Sequence, residues 1–474
     1  MGQNFAAGSK TSPQVSKHGV QLQTLKVHLQ GATPAKPIRV VFLLFYFEAW
    51  DSLAPIFDEM KASPLFTPIV VTMPRKLTGD VVYGGEGDVH RFLTELDIAH
   101  VRLKGDDHLR NLQKLKSLEP DYVFLNYPWQ RNYPPPFRPD SLVKFTRIAY
   151  VPYFLLPLVD EESPEGAITQ STTQPIAGHL YEQRTHQLAS LIFVQDEVSK
   201  TAFASTSRGD EHVFATGSPK LDVLRQEAAK LAKKRAKKQK AAPSASKYAL
   251  RVLWAPHHSY SPAWLNFGRF AADHDAMLKF AESNPNIKVT LRPHPFLFGT
   301  LVDRGVLTRD ELEFWLAKWN ALPNTRITRR ASFVKQFSKN DLLLTDGISF
   351  LAEYPLLTGK PAIFIENPQH WSFNRLGSLA ADCNLRVRSV DEFAAIAHAF
   401  IEHGFTAAVG KELERYSNSL TTLRAMVDPN PGMVAKNIVA IVAKHFVSGA
   451  PLVKPSVVAE TAWEDRPGRE PRTD

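Results

Sequence analysis

The amino-acid sequence predicts two α/β domains, each built on a doubly wound parallel sheet, and three observations carry that reading. Short apolar runs without alternation recur at 38–46, 121–126, 287–291 and 341–345, as expected of strands buried on both faces. Helical periodicity fills the intervals, as at 310–322, where Leu312, Trp315, Leu316 and Trp319 share one face. A lysine-rich stretch near the middle of the 474 residues interrupts the alternation and divides it in two.

In chain order, residues 1–36 mix Gln, Ser, Lys, Pro and Gly and are expected to form a disordered arm. The first domain is expected over 37–216. Its opening strand at 38–46 runs into Phe47-Glu48-Ala49-Trp50-Asp51-Ser52, which places Glu48 and Asp51 on a βα loop. A second strand is predicted at 67–73, followed by the loop Gly84-Gly85-Glu86-Gly87 and a helix starting at His90. Further strands are expected at 121–126, 148–153, 191–195 and 213–216, while Pro134-Pro135-Pro136 cannot be regular structure. A basic linker is expected over 217–247, where Lys230, Lys233, Lys234, Arg235, Lys237, Lys238 and Lys240 crowd one helical stretch. It reads either as a solvated helix or as a surface for anionic lipid. No aromatic platform is interleaved with it, so nucleic acid is not the expected partner. The second domain, 248–448, repeats the pattern with strands at 251–256, 287–291, 341–345 and 361–365, then helices at 391–403, 407–426 and 432–446. Residues 449–474 are Pro-rich and charged and are expected to be disordered.

With 44% hydrophobic and 22% charged residues the chain is globular. Its single cysteine, Cys383, excludes an intrachain disulfide framework and fits a reducing compartment. No apolar run approaches the roughly 20 residues of a membrane span, and the N-terminus lacks the apolar core of a signal peptide, so a cytoplasmic protein is expected. A formal net charge of +9 implies an anionic partner: a membrane surface, a phosphorylated substrate or nucleic acid. The sequence holds no P-loop, nucleophile elbow, Gly-x-Gly-x-x-Gly turn or zinc helix. No metal site and no cofactor are read from it.

Three polar clusters fall at the C-terminal ends of predicted parallel strands: His257-His258-Ser259, Arg292 with His294, and Asp346-Gly347-Ile348-Ser349. In an open α/β sheet that edge is where ligands bind. Ser349 is expected to cap a short helix whose free amides would hold a diphosphate, and Glu353, one turn on, could reach a ribose. Pro355 is expected to kink or shorten that helix. Taken singly, a histidine or a Ser-capped helix is as well explained by structure. Together they describe a site for a diphosphate whose developing charge must be stabilised.

Specific motifs then suggest a family. Trp254-Ala255-Pro256-His257-His258, Arg292-Pro293-His294-Pro295, Asp341 to Asp346 with Ser349-Phe350 and Glu353-Tyr354, Thr358-Gly359-Lys360-Pro361, and Gly217-Ser218-Pro219-Lys220-Leu221-Asp222 resemble segments of the CDP-glycerol glycerophosphotransferases. Those enzymes make teichoic-acid and capsule-type polymers on a two-domain GT-B frame, two Rossmann-like domains facing across a cleft. The resemblance implies a cytoplasmic-face transferase, peripheral at the inner side of the plasma membrane, with a CDP-polyol donor and a polymer or lipid-linked acceptor. It implies that Arg292 and His294 contact the donor phosphates, that Ser349 caps them, that Glu353 binds the ribose, and that an acceptor hydroxyl attacks the β-phosphorus and expels CMP. The chain departs from the family in two places. Tyr150-Val151-Pro152-Tyr153 stands where many members carry the His-Gly-Thr-Pro segment of the presumed base, and Asp346-Gly347-Ile348-Ser349 stands for Asp-Tyr-Ser-Ser.

The base therefore has three candidates, Glu48, Asp51 and His90, with Glu48 ranked first because it lies nearest the strand end. Two other functions compete with polyol-phosphate transfer. One is a GT-B glycosyltransferase using a nucleotide-sugar in capsule or exopolysaccharide synthesis. The other is a basic, membrane-surface protein that keeps the shape without turnover.

Overall fold

The computed structural model describes residues 36–74, 83–159, 181–241, 247–262, 265–328 and 332–454. The predicted arm before Lys36 and the predicted tail beyond Lys454 lie outside the described residues. Two wholly parallel sheets carry the chain. The first contains β1 (Ile38–Leu44), β2 (Phe66–Thr72), β3 (His100–Arg102), β4 (Tyr122–Leu125), β5 (Arg147–Tyr150), β6 (Leu191–Val194) and β7 (Val213–Ala215) in the order β3-β2-β1-β4-β5-β6-β7. The second contains β8 (Leu250–Ala255), β9 (Ile287–Leu291), β10 (Thr325–Ile327), β11 (Leu342–Thr345), β12 (Ile363–Ile365) and β13 (Leu385–Val387) in the order β10-β9-β8-β11-β12-β13.

Both sheets reverse direction of winding once, between β1 and β4 and between β8 and β11. The register fixes these switch points through Val40 against Tyr122 and Leu344 against Trp254. A crevice opens there at the C-terminal strand ends, because successive connections leave on opposite faces. The apolar runs are explained by burial on both sides. Ile38, Val40, Phe42 and Leu44 enter one core cluster while Val41, Leu43 and Phe45 enter another.

Three strands escaped the sequence reading: β3, β10 and β13, each of three residues and each at a sheet edge. They carry His100 and Arg102, Arg326, and Arg386, charges that suit an edge and erase the apolar signal. The domain boundaries also differ from expectation. Helix Val434–Val447, expected in the second domain, packs Val434, Ile438 and Val442 into the core of the first sheet. Residues just past 448 are tied down as well, since Arg147 donates to the Ala450 carbonyl at 2.6 Å and Val453 packs on the first core.

The linker forms one helix, Pro219–Ala241. Its Arg235 reaches Asp341 at 3.3 Å and its Glu227 accepts from Ser332 at 2.8 Å, so one side rests on the second unit. Lys230, Lys233, Lys234 and Lys237 stay exposed. Where it leaves the first sheet, Gly217 has φ +91°, and a Cβ there would lie 2.9 Å from Val434. Asp222 accepts from the Gly432 amide at 2.8 Å, while Arg225 pairs with both Asp222 and Asp428. The two chain crossings between the units are thereby clasped together.

Candidate active site

The second unit contributes most of the charge. Helix Ile348–Thr358 follows β11 directly, and its N-cap is Gly347, which makes no side-chain capping bond. Ser349 is thus not the cap. It lies inside the first turn and is exposed. A Cβ at Gly347 would sit 3.6 Å from the His257 ring and 3.3 Å from the Thr345 hydroxyl, so a side chain here would crowd that hydroxyl slightly. Pro355 neither breaks nor shortens the helix. The proline leaves the Leu351 carbonyl without its intrahelical donor, and Asn384 Nδ2 donates to it at 2.8 Å instead.

Asp346 faces inward. Its carboxylate accepts from the backbone amides of His257 and Arg269, each at 2.6 Å, tying the ends of β8 and β11 and the start of helix Phe270–Ser283 into one floor. Burial pushes its pKa up to about 8 against the pull of those two amides. Asp346 therefore ties the strand ends together rather than projecting beyond them.

His257, His258 and His294 converge above this floor. Ring centroids are 4.5 Å apart for the first two and 3.9 Å apart for His258 and His294, which stack within 17° of parallel. His257 Nδ1 lies 2.8 Å from the Ser259 hydroxyl, and among the described residues the buried His258 Nδ1 has no hydrogen-bond partner. Burial, reinforced by the neighbouring rings and cations, holds all three below the usual histidine range: His257 far below, His258 at about 4 and His294 at about 3. They are neutral imidazoles near neutrality. Their ligand atoms all lie within 4.8 Å of one another, the donor set a divalent cation would need. The face-to-face stack of His258 on His294 sends their in-plane lone pairs parallel rather than toward a shared point, so a ring rotation would have to precede any ion. Positive charge comes from Arg292, whose pKa burial lowers while Glu353 opposes the shift.

Glu353 is only 3% exposed. It pairs with Lys220 of the linker at 3.5 Å instead of facing open space, so the ribose contact implied by the family resemblance would require that pair to part. Lys220 in turn feels Asp51 of the first unit: burial lowers its pKa, but Glu353 and Asp51 together carry it above the ordinary lysine value.

The three base candidates separate cleanly. Glu48 is exposed on the 3₁₀ turn Phe47–Ser52. His90 lies on helix Gly87–Glu95 and turns its Nδ1 to His100 Nε2 at 2.7 Å, on the outermost strand, away from the switch point. Asp51 is half-buried beside Lys220, and among the described residues its buried Oδ1 has no hydrogen-bond partner. One feature was not singled out from sequence. Tyr46, Tyr127 and Tyr153, each just beyond the end of β1, β4 or β5, meet at centroid distances of 5.0 to 5.5 Å and line the first unit's strand ends. The signal was present as a tyrosine following three different strands.

Comparison with known proteins bears on fold and family. The wall teichoic acid polymerase TagF is 13% identical and superposes with a TM-score of 0.53, covering 90% of this chain and 93% of that one. UDP-GlcNAc 2-epimerase from Neisseria meningitidis is 15% identical with a TM-score of 0.52, covering 86% of this chain and 100% of that one. At such identities the likeness is one of fold, and it establishes the GT-B architecture. No curated protein sequence matches significantly. The CDP-glycerol:poly(glycerophosphate) glycerophosphotransferase family model matches residues 161–316, which span the 217–222 segment, His257, His258, Arg292 and His294 and stop before Asp346. With that match the resemblance read from the motifs is borne out: over this stretch the chain is similar in sequence to the CDP-glycerol glycerophosphotransferases, carried on a GT-B frame.

Proposed function

We propose that the protein moves a polyol phosphate, such as glycerol phosphate, from a CDP-activated donor to a surface polysaccharide or teichoic-acid-like acceptor and releases CMP. One observation carries the reading: Arg292, the three neutral imidazoles and the open amide end of helix Ile348–Thr358 converge on the C-terminal ends of β8, β9 and β11. The similarity to the glycerophosphotransferase family supports the choice of donor. A diphosphate at that edge would lie against the helix N-terminus and the guanidinium, both of which favour negative charge. Imidazole N–H groups add hydrogen bonds without adding charge, so charge accumulating on the departing CMP is met chiefly by Arg292. The acceptor would enter from the first unit, past Tyr46 and Tyr153. The protein would work on the cytoplasmic side, peripheral to the membrane. Exposed Lys230, Lys233, Lys234 and Lys237 support contact with an anionic leaflet, and among the described residues no helix is long and apolar enough to cross it.

The second reading is a GT-B glycosyltransferase, favoured by Gly347-Ile348 at the position where the family carries a further hydroxyl. The two differ in the bond broken. Incubation with CDP-glycerol or CDP-ribitol, set against UDP- and GDP-sugars, separates them by product: CMP for phosphoryl transfer, the nucleoside diphosphate for glycosyl transfer. Release of UDP or GDP with no CMP from either CDP-polyol would reject the leading reading.

A further inference from the structure

We infer that Asp51 is the general base that takes the proton from the attacking acceptor hydroxyl, with Lys220 as its positioning residue. The inference rests on the phosphoryl-transfer reading above and completes it, since the family's His-bearing segment is replaced here by Tyr150-Val151-Pro152-Tyr153.

Place comes first. Asp51 sits beyond β1, at the switch point of the first sheet, and Lys220 and Glu353 link it to the helix that follows β11, at the switch point of the second. It is therefore on the first-unit wall beside the candidate donor edge. Its turn is rigidly held: Asn126, just past β4, donates to the Ala49 carbonyl at 3.2 Å and to the Ser52 hydroxyl at 3.3 Å, and Ser52 donates back to Ala49 at 2.8 Å. Trp50 anchors the other side on Phe42 and Phe57. Fixing the base this tightly suits a proton transfer, which needs heavy atoms within about 3 Å.

Chemistry comes second. A buried carboxylate oxygen normally has a partner. Among the described residues Asp51 Oδ1 has none, while backbone amides of the turn serve the carboxylate elsewhere, so a buried acceptor lone pair is left unspent at this position. Charged groups facing it are Lys220 and Glu227 from the linker helix and Glu353 from helix Ile348–Thr358. Burial raises the Asp51 pKa while Lys220 restrains the rise, which improves its proton affinity over that of an ordinary carboxylate. The acceptor oxygen forms a bond to the β-phosphorus of the donor and its proton passes to Asp51. The bond from that phosphorus to the bridging oxygen breaks, and the electron pair leaves with CMP.

The test uses the full chain with CDP-glycerol as donor and a glycerol-phosphate-primed acceptor, following CMP release. Asp51→Asn should fold normally, bind CDP-glycerol within about threefold of wild type, and lose about 100-fold or more in kcat. The acid limb of the wild-type kcat profile, along which turnover rises as the base ionises, should flatten in the variant. Lys220→Arg should keep turnover within about tenfold and move that limb, whereas a merely structural Lys220 would leave it in place. Turnover of Asp51→Asn within a few-fold of wild type, or retention of its acid limb, would overturn the assignment. So would a loss of CDP-glycerol affinity as large as the loss in kcat. A wild-type protein that releases no CMP at all would instead reject the donor reading on which the assignment rests.

Discussion

Replacing Lys220 by Met tests the electrostatic link between the two units, and its cost follows from the structure. Glu353 is 3% exposed and its carboxylate pairs with Lys220 at 3.5 Å. Without the ammonium, the carboxyl escapes the expense of a bare buried charge by taking up a proton. Starting from an ordinary value of 4.5, protonation at pH 7 costs about 1.4 kcal/mol for each of 2.5 pH units, or roughly 3 kcal/mol. That figure is a ceiling, because burial already raises the Glu353 pKa in the wild type and Arg292 still lowers it in the variant. The sign is fixed by linkage. In the variant the folded pKa of Glu353 rises further above its unfolded value, so stability is retained at acid pH and lost as pH rises. The variant should therefore trail wild type by up to about 3 kcal/mol at pH 7 and by under about 1 kcal/mol at pH 5, read from urea midpoints. Lys220 itself, with its pKa raised, stays charged throughout that window. A second substitution, Glu353→Gln, should recover most of the pH 7 deficit. A loss independent of pH, or no recovery in the double variant, would show that Lys220 stabilises by packing alone.

Arg292→Ala and His294→Ala should each lower turnover by about 100-fold or more, since one removes the cation and the other a hydrogen-bond donor from the departing phosphate; steady-state CMP release measures both. His186, buried at 2% exposure with its pKa near 3 through burial, should make the first unit acid-labile. Its folded pKa lies below the unfolded 6.5, so its contribution is present above pH 6.5 and falls as pH drops, by roughly 2 kcal/mol at pH 5, visible as a falling Tm. Replacing Lys233, Lys234 and Lys237 by Gln should weaken binding to anionic vesicles by about 1 kcal/mol per residue near the surface, and salt should weaken the wild type likewise. Unchanged sedimentation with vesicles would leave the helix as a linker only.

The frame was legible in the sequence because burial on both faces writes itself into apolar runs. Every strand interior to a sheet was anticipated, and the strands missed are three-residue edges where Arg102, Arg326 or Arg386 breaks the run. Boundaries were less legible. An amphipathic helix does not announce which of two cores it will enter, and Val434–Val447 returns to the first sheet because Gly217 leaves room for Val434 and Asp222 holds Gly432.

The site was legible in its parts and not in its pairings. Strand-end position correctly brought His257, His258 and His294 together. It could not tell that Asp346 spends both oxygens on the amides of His257 and Arg269, or that Asn384 relieves the carbonyl stranded by Pro355. The same limit explains the ranking of the base candidates. Nearness to a strand end favoured Glu48, yet a residue's value as a base depends on burial and on charges contributed by distant segments. Lys220 and Glu353 lie far from Asp51 in sequence, and only folding sets them beside it. Glu48, three residues earlier on the same turn, is exposed to solvent. Asp51 is held half-buried, where burial raises its proton affinity and Lys220 restrains the rise. That contrast, made by one 3₁₀ turn, is the physical reason we propose Asp51 and not Glu48 as the base.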